Sequence, residues 1–174
     1  MITIRVATKD DAELIAGMSR QTFYDTFAAH NTKENMDRFL SETFNHDVLV
    51  AEVGAPDNIF LLAYEGDEPV GYARLRDNNI PPQLAGADAL EIARLYAVKD
   101  AIGKGVGKAL MQYSIHMAIE KNKRGIWLGV WQENHRAIRF YQQWGFEKFS
   151  THVFMLGDDP QQDWLMKKML KSPG

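Results

Sequence analysis

Gly103-Lys104-Gly105-Val106-Gly107-Lys108 carries the clearest chemical pattern in the chain. Glycines let the backbone turn to positive φ and let a ligand approach closely. Successive N–H groups then point into one concavity, and a following helix adds unpaired donors with a partial positive charge. Lys104 and Lys108 can offset the remaining charge of an anion. The loop is therefore a phosphate cradle, or else a glycine-rich turn ahead of a surface helix. It is not a Walker A loop, because Ile102 stands where the first glycine of G-x-x-x-x-G-K-S/T belongs and Ala109 follows Lys108. It is not the dinucleotide fingerprint G-x-G-x-x-G either, since Lys108 falls on the third glycine. A second run, from Val130 through Asn134, Ala137, Phe140 and Tyr141 to Gly145 and Phe146, combines a helix-capping asparagine with a buried-type tyrosine. Asn134 suits an N-cap or a ligand. Tyr141 suits a core aromatic or a proton donor. With no cysteine, thiolate metal sites, disulfides and a cysteine acyl-enzyme are excluded. The five histidines lack ligand spacing, so no metal is expected.

These residues need a scaffold. Residues 2–7 alternate apolar and polar as a strand. Thr8 and Asp11 form a capping box with Asp in place of Glu, ahead of a helix over 11–27 that buries Leu14, Ile15, Met18 and Phe23. Thr32 caps a second helix over 33–44 with Met36, Phe39 and Leu40 inward, and a short helix over 46–53 stops at Gly54 and Pro56. The period then changes. Strands over 59–64 and 70–75 flank turn residues 65–68 and form a hairpin. Residues 77–88 read as a loop and 90–98 as a strong strand. A helix runs from the glycine loop to about 121, with Val106, Leu110, Tyr113 and Met117 as its apolar stripe. A strand over 126–130, a helix over 135–144 closed by Gly145, and strands over 147–156 and 163–169 complete the chain. This order predicts an α/β (α+β) architecture: one twisted, mostly antiparallel mixed sheet of about seven strands with helices on both faces.

The 174 residues suit one domain, 1–174, with no internal repeat or linker. The N-terminal run lacks the basic flank and apolar stretch of a signal peptide, and no apolar run approaches a membrane span. A cytoplasmic enzyme without membrane or nucleic-acid partners is the expectation. The formal net charge of −3 offers no bulk attraction to nucleic acid.

Arg94-Leu95-Tyr96-Ala97-Val98 followed by Gly103-Lys104-Gly105-Val106-Gly107 resembles the acetyl-CoA motif of the GNAT N-acetyltransferases, commonly Gln/Arg-x-x-Gly-x-Gly/Ala. Ile102 departs from it at the Gln/Arg position, so a side-chain contact there is lost. The segment Asn134 to Phe146 is similar to the same family's N-x-x-A-x-x-F-Y-x-x-x-G-F run. The resemblance covers most of the chain. It implies acetyl-CoA as cosubstrate, held by Tyr96, Ala97, Val98, Gly103 to Lys108, Asn134 and Ala137. It also implies that Tyr141 sits near the thioester sulfur as the acid that protonates the leaving thiolate. An acidic residue at the head of the 90–98 strand resembles the family's water-linked base, which makes Glu91 the leading base. Pairing of Glu91 with Arg94 is the structural alternative, and Asp88, Asp25 and His152 are the other base candidates.

Thr22 to Phe27, Asn31 to Met36, and Gly157-Asp158-Asp159 with Gln162 and Asp163 are similar to PaiA-like spermidine/spermine N-acetyltransferases. That likeness implies a polyamine acceptor, with Tyr24 and Asp25 in the acceptor wall, and direct transfer in a ternary complex. A homodimer is expected from family habit. Peptide or protein N-acetylation, and a non-catalytic acyl-CoA-binding module, are the alternatives.

Overall fold

The computed structural model describes residues 1–170. Seven strands form one sheet in the order β1-β2-β3-β4-β5-β7-β6. They are β1 (Ile2–Val6), β2 (Asn58–Glu65), β3 (Glu68–Arg76), β4 (Ala89–Ala97), β5 (Gly125–Trp131), β6 (Glu147–Leu156) and β7 (Asp159–Met169). The helices are α1 (Ala12–Phe27), α2 (Lys33–Glu42), α3 (His46–Glu52), α4 (Val106–Glu120) and α5 (His135–Gln143). Only β4 and β5 run parallel; the other neighbours are antiparallel. The mixed sheet expected from the sequence is present, with helices on both sides.

Side-chain alternation along the strands assigns the two faces. Leu61, Ala63, Ala73, Leu75, Leu90, Ile126 and Leu128 pack with Val106, Leu110, Met111 and Ile138 of α4 and α5. Phe60, Leu62 and Tyr72 pack with Ile15 and Met18 of α1. A third cluster joins Phe23 and Phe27 of α1 to Met36, Phe39, Phe44, Leu49 and Leu156.

Local chemistry fixes the boundaries. Thr8 and Asp11 make the capping box, although the first turn behind them is 3₁₀ (Lys9–Asp11) and α1 proper begins at Ala12. Thr32 and Asn45 cap α2 and α3 by accepting the Asn35 and Val48 N–H groups. Two expectations shift. The buried stripe of α4 runs Val106, Leu110, Met111, Ser114 and Ala118, while Tyr113 and Met117 are only half-buried. Ser114 can sit in the core because its hydroxyl donates to the Leu110 carbonyl at 2.7 Å. The last strand starts at Asp159 rather than 163, because Leu156 pairs with Asp159 around a two-residue turn whose Gly157 has φ 62°.

Candidate active site

The site is a place where the sheet fails to close. β4 and β5 are paired only from Ala89–Gly125 to Ile92–Leu128. Beyond that point β4 stays on β3 and β5 stays on β7, so the two parallel strands separate. A bulge starts the separation: the β3–β4 register steps from Arg74–Arg94 to Leu75–Ile92, leaving Ala93 as the extra residue. The resulting cleft has a volume of about 1130 Å³ and passes from the α4–α5 face of the sheet to the α1–α3 face.

At its first end lies the glycine loop. Gly103 and Gly105 have φ of 86° and 88°, which demand glycine, and the space beside both is open. Gly105 is the N-cap of α4 and no side chain caps the helix. The first helical bond runs from the Ala109 N–H to the Gly105 carbonyl, so the N–H groups of Val106, Gly107 and Lys108 are left for a ligand. A fifteen-residue helix ending here contributes its dipole. A second glycine serves the same end: at Gly71 a Cβ would lie 2.5 Å from Val106 Cγ1 and 2.7 Å from the Tyr96 carbonyl oxygen. Its absence lets β3 and β4 meet the first turn of α4. Gly103, Gly105, Val106, Gly107 and Lys108 line the cleft, as do Lys99 and Ile102. Lys104 is exposed and outside the lining.

In the middle, the exposed edge of β4 offers main-chain groups. Which residues offer them follows from register. The Val98 N–H donates to the Val70 carbonyl at 2.9 Å, which makes that rung hydrogen-bonded. Alternation then turns the N–H and C=O of Tyr96 toward β3 and those of Leu95 and Ala97 toward the cleft. The Val98 carbonyl is also taken, by the Ala101 N–H at 2.9 Å. Of the strand residues expected along the cofactor, Ala97 turns its main-chain groups to the cleft with Leu95 beside it, while those of Tyr96 face β3 and those of Val98 are already bonded. Tyr96 still lines the cleft, and Val98 does not.

Asn134, Ala137, Phe140 and Tyr141 form the β5 side. The Asn134 side-chain oxygen accepts the Ala137 N–H at 3.2 Å, so the residue is an N-cap, and its amide NH₂ is left over. Tyr141 is 8% exposed and wedged between Phe140 and Phe146. Burial pushes its hydroxyl up to about 12, so it holds its proton at neutral pH. No protein group among the described residues bonds that hydroxyl, which opens onto the cleft.

The far end lies toward α1–α3. Thr22, Phe23, Asp25, Thr26 and Phe27 of α1 line it, with Glu52, Arg74, Arg94, Trp131, Phe154 and Asp163. Tyr24 is one position off, half-exposed and outside the lining. Glu91 is also absent from the lining. It is 5% exposed and held by Arg76, through Nε at 2.5 Å and Nη2 at 3.0 Å, and by the Asn79 side-chain amide at 2.9 Å. Its partner is Arg76 and not Arg94, because the bulge at Ala93 sets Glu91 opposite Arg76 and Arg94 opposite Arg74. Asp163 does line the cleft. Its carboxyl is pushed up to about 6 by burial, an effect that the neighbouring His152 opposes. Asp88 makes a surface pair with Lys123 at 3.3 Å, outside the cleft. Among the described residues no group of His, Cys, Asp and Glu could hold a metal ion, and no helix is long and apolar enough to cross a membrane.

A splayed parallel pair beside an uncapped, glycine-led helix defines a protein with an anion-binding helix N-terminus next to an open strand edge. The chain belongs to the acetyltransferase (GNAT) family, which residues 20–146 match, and is an N-acetyltransferase. It is 40% identical over 167 residues to an uncharacterized N-acetyltransferase in the pepI 3′ region of Lactobacillus delbrueckii subsp. lactis, covering 96% of each chain. A spermidine N(1)-acetyltransferase of Thermoplasma acidophilum is 23% identical, covering 98% of this chain and 99% of that one. The crystal structure of PaiA N-acetyltransferase from Thermoplasma acidophilum in complex with coenzyme A has the same fold, with a TM-score of 0.76, 22% identity and coverage of 98% and 99%.

The glycine loop, Asn134 and Tyr141 were legible as local runs. Sequence reasoning gave no place in the cleft to Glu52 or Arg74, and it quoted Arg94 and Leu95 within the motif run without a contact of their own, Arg94 otherwise only as an alternative partner for Glu91. Asp163 stood in a recognised segment without a role. Its signal was a carboxylate directly ahead of the apolar run Trp164-Leu165-Met166 of the closing strand.

Proposed function

We propose that the protein transfers the acetyl group of acetyl-CoA to the primary amine of a small molecule, directly in a ternary complex. The observation that carries this reading is one continuous cleft that joins a free helix N-terminus to a buried, protonated tyrosine and then to a half-buried carboxylate of raised pKa. The N–H groups of Val106, Gly107 and Lys108 hold the pyrophosphate. Leu95 and Ala97 pair with the pantetheine amides as an added strand would, and the Asn134 amide donates alongside them. The acceptor enters from the α1–α3 side. As its nitrogen bonds to the thioester carbon, Asp163 takes the proton that the nitrogen sheds. As the C–S bond breaks, Tyr141 gives its proton to the departing sulfur and recovers one from solvent. A carboxyl titrating near 6 is ionised at neutral pH and still basic enough for that task. Glu91 is left as a structural partner of Arg76.

Polyamines are the acceptor class suggested by the likeness to the spermidine acetyltransferase and by Asp25 and Asp163 in the wall. A free-thiol release assay with acetyl-CoA against spermidine, putrescine, amino acids and peptide N-termini tests the reading, with Tyr141→Phe as control. Release with an amine that falls at least ~100-fold in the variant supports it. Tight acetyl-CoA binding with no release from any amine overturns it in favour of a binding module.

A further inference from the structure

Arg74 of β3 and Arg94 of β4 face each other in register on the α1–α3 side of the sheet, and both line the cleft. They share one carboxylate. Arg94 grips Glu52 with two hydrogen bonds, Nη1–Oε1 at 2.8 Å and Nη2–Oε2 at 3.0 Å. Arg74 is left with an ion contact to the same Oε2 at 3.1 Å, and its Nε donates to the Asn58 side-chain oxygen at 2.8 Å. The terminal nitrogens of Arg74 make no hydrogen bond among the described residues, and neither is sealed from solvent. Phe60 and Phe44 cover the two guanidinium planes, at 6.0 and 4.7 Å from the ring centres. The side chains are 12% and 13% exposed.

The charge count does not close. Arg76, the next charged residue on this face of β3, is matched one to one by Glu91. Arg74 and Arg94 carry two positive charges against the single charge of Glu52. Buried charges are ordinarily paired, because an unmatched one has lost its water without gaining a partner. Burial, and then the Arg94 charge, push the Arg74 guanidinium down to about 10. A planar fork whose terminal nitrogens make no hydrogen bond, with Nη1 only in ion contact with Glu52 and Nη2 without a partner among the described residues, lies at the acceptor end of the cleft and has the geometry of a carboxylate receptor.

We propose that the Arg74–Arg94 pair is the carboxylate subsite of the acceptor, so that the substrate is an amine that carries a carboxylate, an amino acid or its close analogue. The inference rests on the transferase reading of the cleft. The carboxylate of the acceptor docks on the free fork of Arg74 and supplies the missing negative charge. Its amine points to Asp163, and the ring wall of Phe23, Phe27 and Trp131 receives its side chain. This subsite displaces the polyamine class that the likeness to the spermidine acetyltransferase suggests, because a polyamine has no group for this fork and adds positive charge beside it.

Pairs of amines that differ only in the carboxylate decide the question: ornithine against putrescine, lysine against cadaverine, phenylalanine against phenethylamine. kcat/KM is measured by thiol release for each. In parallel, binding of the N-acetyl product of each member to the CoA-loaded protein is measured by calorimetry. The carboxylated member of at least one pair is expected to be favoured about 10–100-fold, the range for hydrogen bonds to a charged group. Arg74→Gln should lower kcat/KM for the carboxylated member more than for its partner, so that the ratio within each pair collapses toward one, and Arg74→Lys should restore part of that ratio; a thermal melt establishes that each variant is folded. Turnover with no carboxylate preference, or a preference that survives in folded Arg74→Gln, overturns the subsite and leaves the transferase reading standing. Carboxylate-selective product binding without turnover of any amine does the reverse. Neither turnover nor selective binding overturns both.

Discussion

Replacing Asp163 with Asn should stabilise the protein and disable it at once. The carboxyl titrates near 6 in the folded chain against an ordinary value of 3.8, and burial is the main cause. The sign follows from linkage. A carboxyl raised by folding favours the folded state fully below its ordinary value, and that contribution is lost as pH rises through the folded value. Above about pH 6 the native protein therefore carries an ionised group that it would hold more cheaply unfolded. A gap of roughly two pH units, at about 1.4 kcal/mol each, sets an upper bound near 3 kcal/mol. Asp163 is open on its cleft side, so solvent reduces the figure to about 1–2 kcal/mol. In a chain of this size that corresponds to a rise of roughly 2–8 °C in Tm at pH 7.5. The assay is a series of thermal melts of both proteins from pH 3.5 to 8, beside kcat/KM from thiol release. The Tm gap should open between about pH 4 and 6 and close below it, while kcat/KM of the variant falls ~10²–10⁴-fold. Melting curves that stay parallel over the whole range would refute the assignment of a buried, raised carboxyl. Unchanged kcat/KM in a stabilised variant would refute its role as base.

Three further outcomes follow from the same geometry. Tyr141→Phe keeps the packing against Phe140 and Phe146 and removes only the proton donor, so kcat should fall ~10²–10³-fold with the dissociation constant for acetyl-CoA nearly unchanged; an equal loss in binding would contradict the role. Gly71→Ala drives a methyl into the Tyr96 carbonyl and Val106, which should cost about 1–3 kcal/mol in denaturant unfolding and raise KM for acetyl-CoA by shifting the start of α4. Glu52→Gln leaves two largely buried guanidiniums without a counter-charge, so a loss of up to about 3 kcal/mol is expected by thermal or urea unfolding, partly recovered when a carboxylate is added.

What could be read from the sequence was whatever chemistry sits in one contiguous stretch. The glycine loop, its helix and the Asn134–Tyr141 run each combine ligand-facing groups with the turn that aims them, so spacing alone exposes them. The acceptor end is different. Glu52, Arg74, Arg94 and Asp163 come from α3, β3, β4 and β7, and nothing within any one of those segments announces the others. The pairing of Glu91 with Arg76 in place of Arg94 has the same origin. Alternation along a regular strand would put residues 91 and 94 on opposite faces; the extra residue at Ala93 returns them to the same face and shifts which arginine each position meets.

On the proposed reading of the cleft, that same residue links acceptor choice to cofactor binding. The bulge at Ala93 ends the pairing of β4 with β5 and so frees the backbone of Leu95 and Ala97 for the donor. It also turns Arg94 toward Glu52 and Arg74 on the acceptor side. A strand without the bulge would extend the parallel ladder, close the cleft and carry the Arg94 side chain to the α4–α5 face, into the packed Leu110 and Met111. One inserted residue in a central strand thus produces both halves of the site. Substitutions in the acceptor wall can then alter which amine is taken while the donor edge of β4 stays as it is.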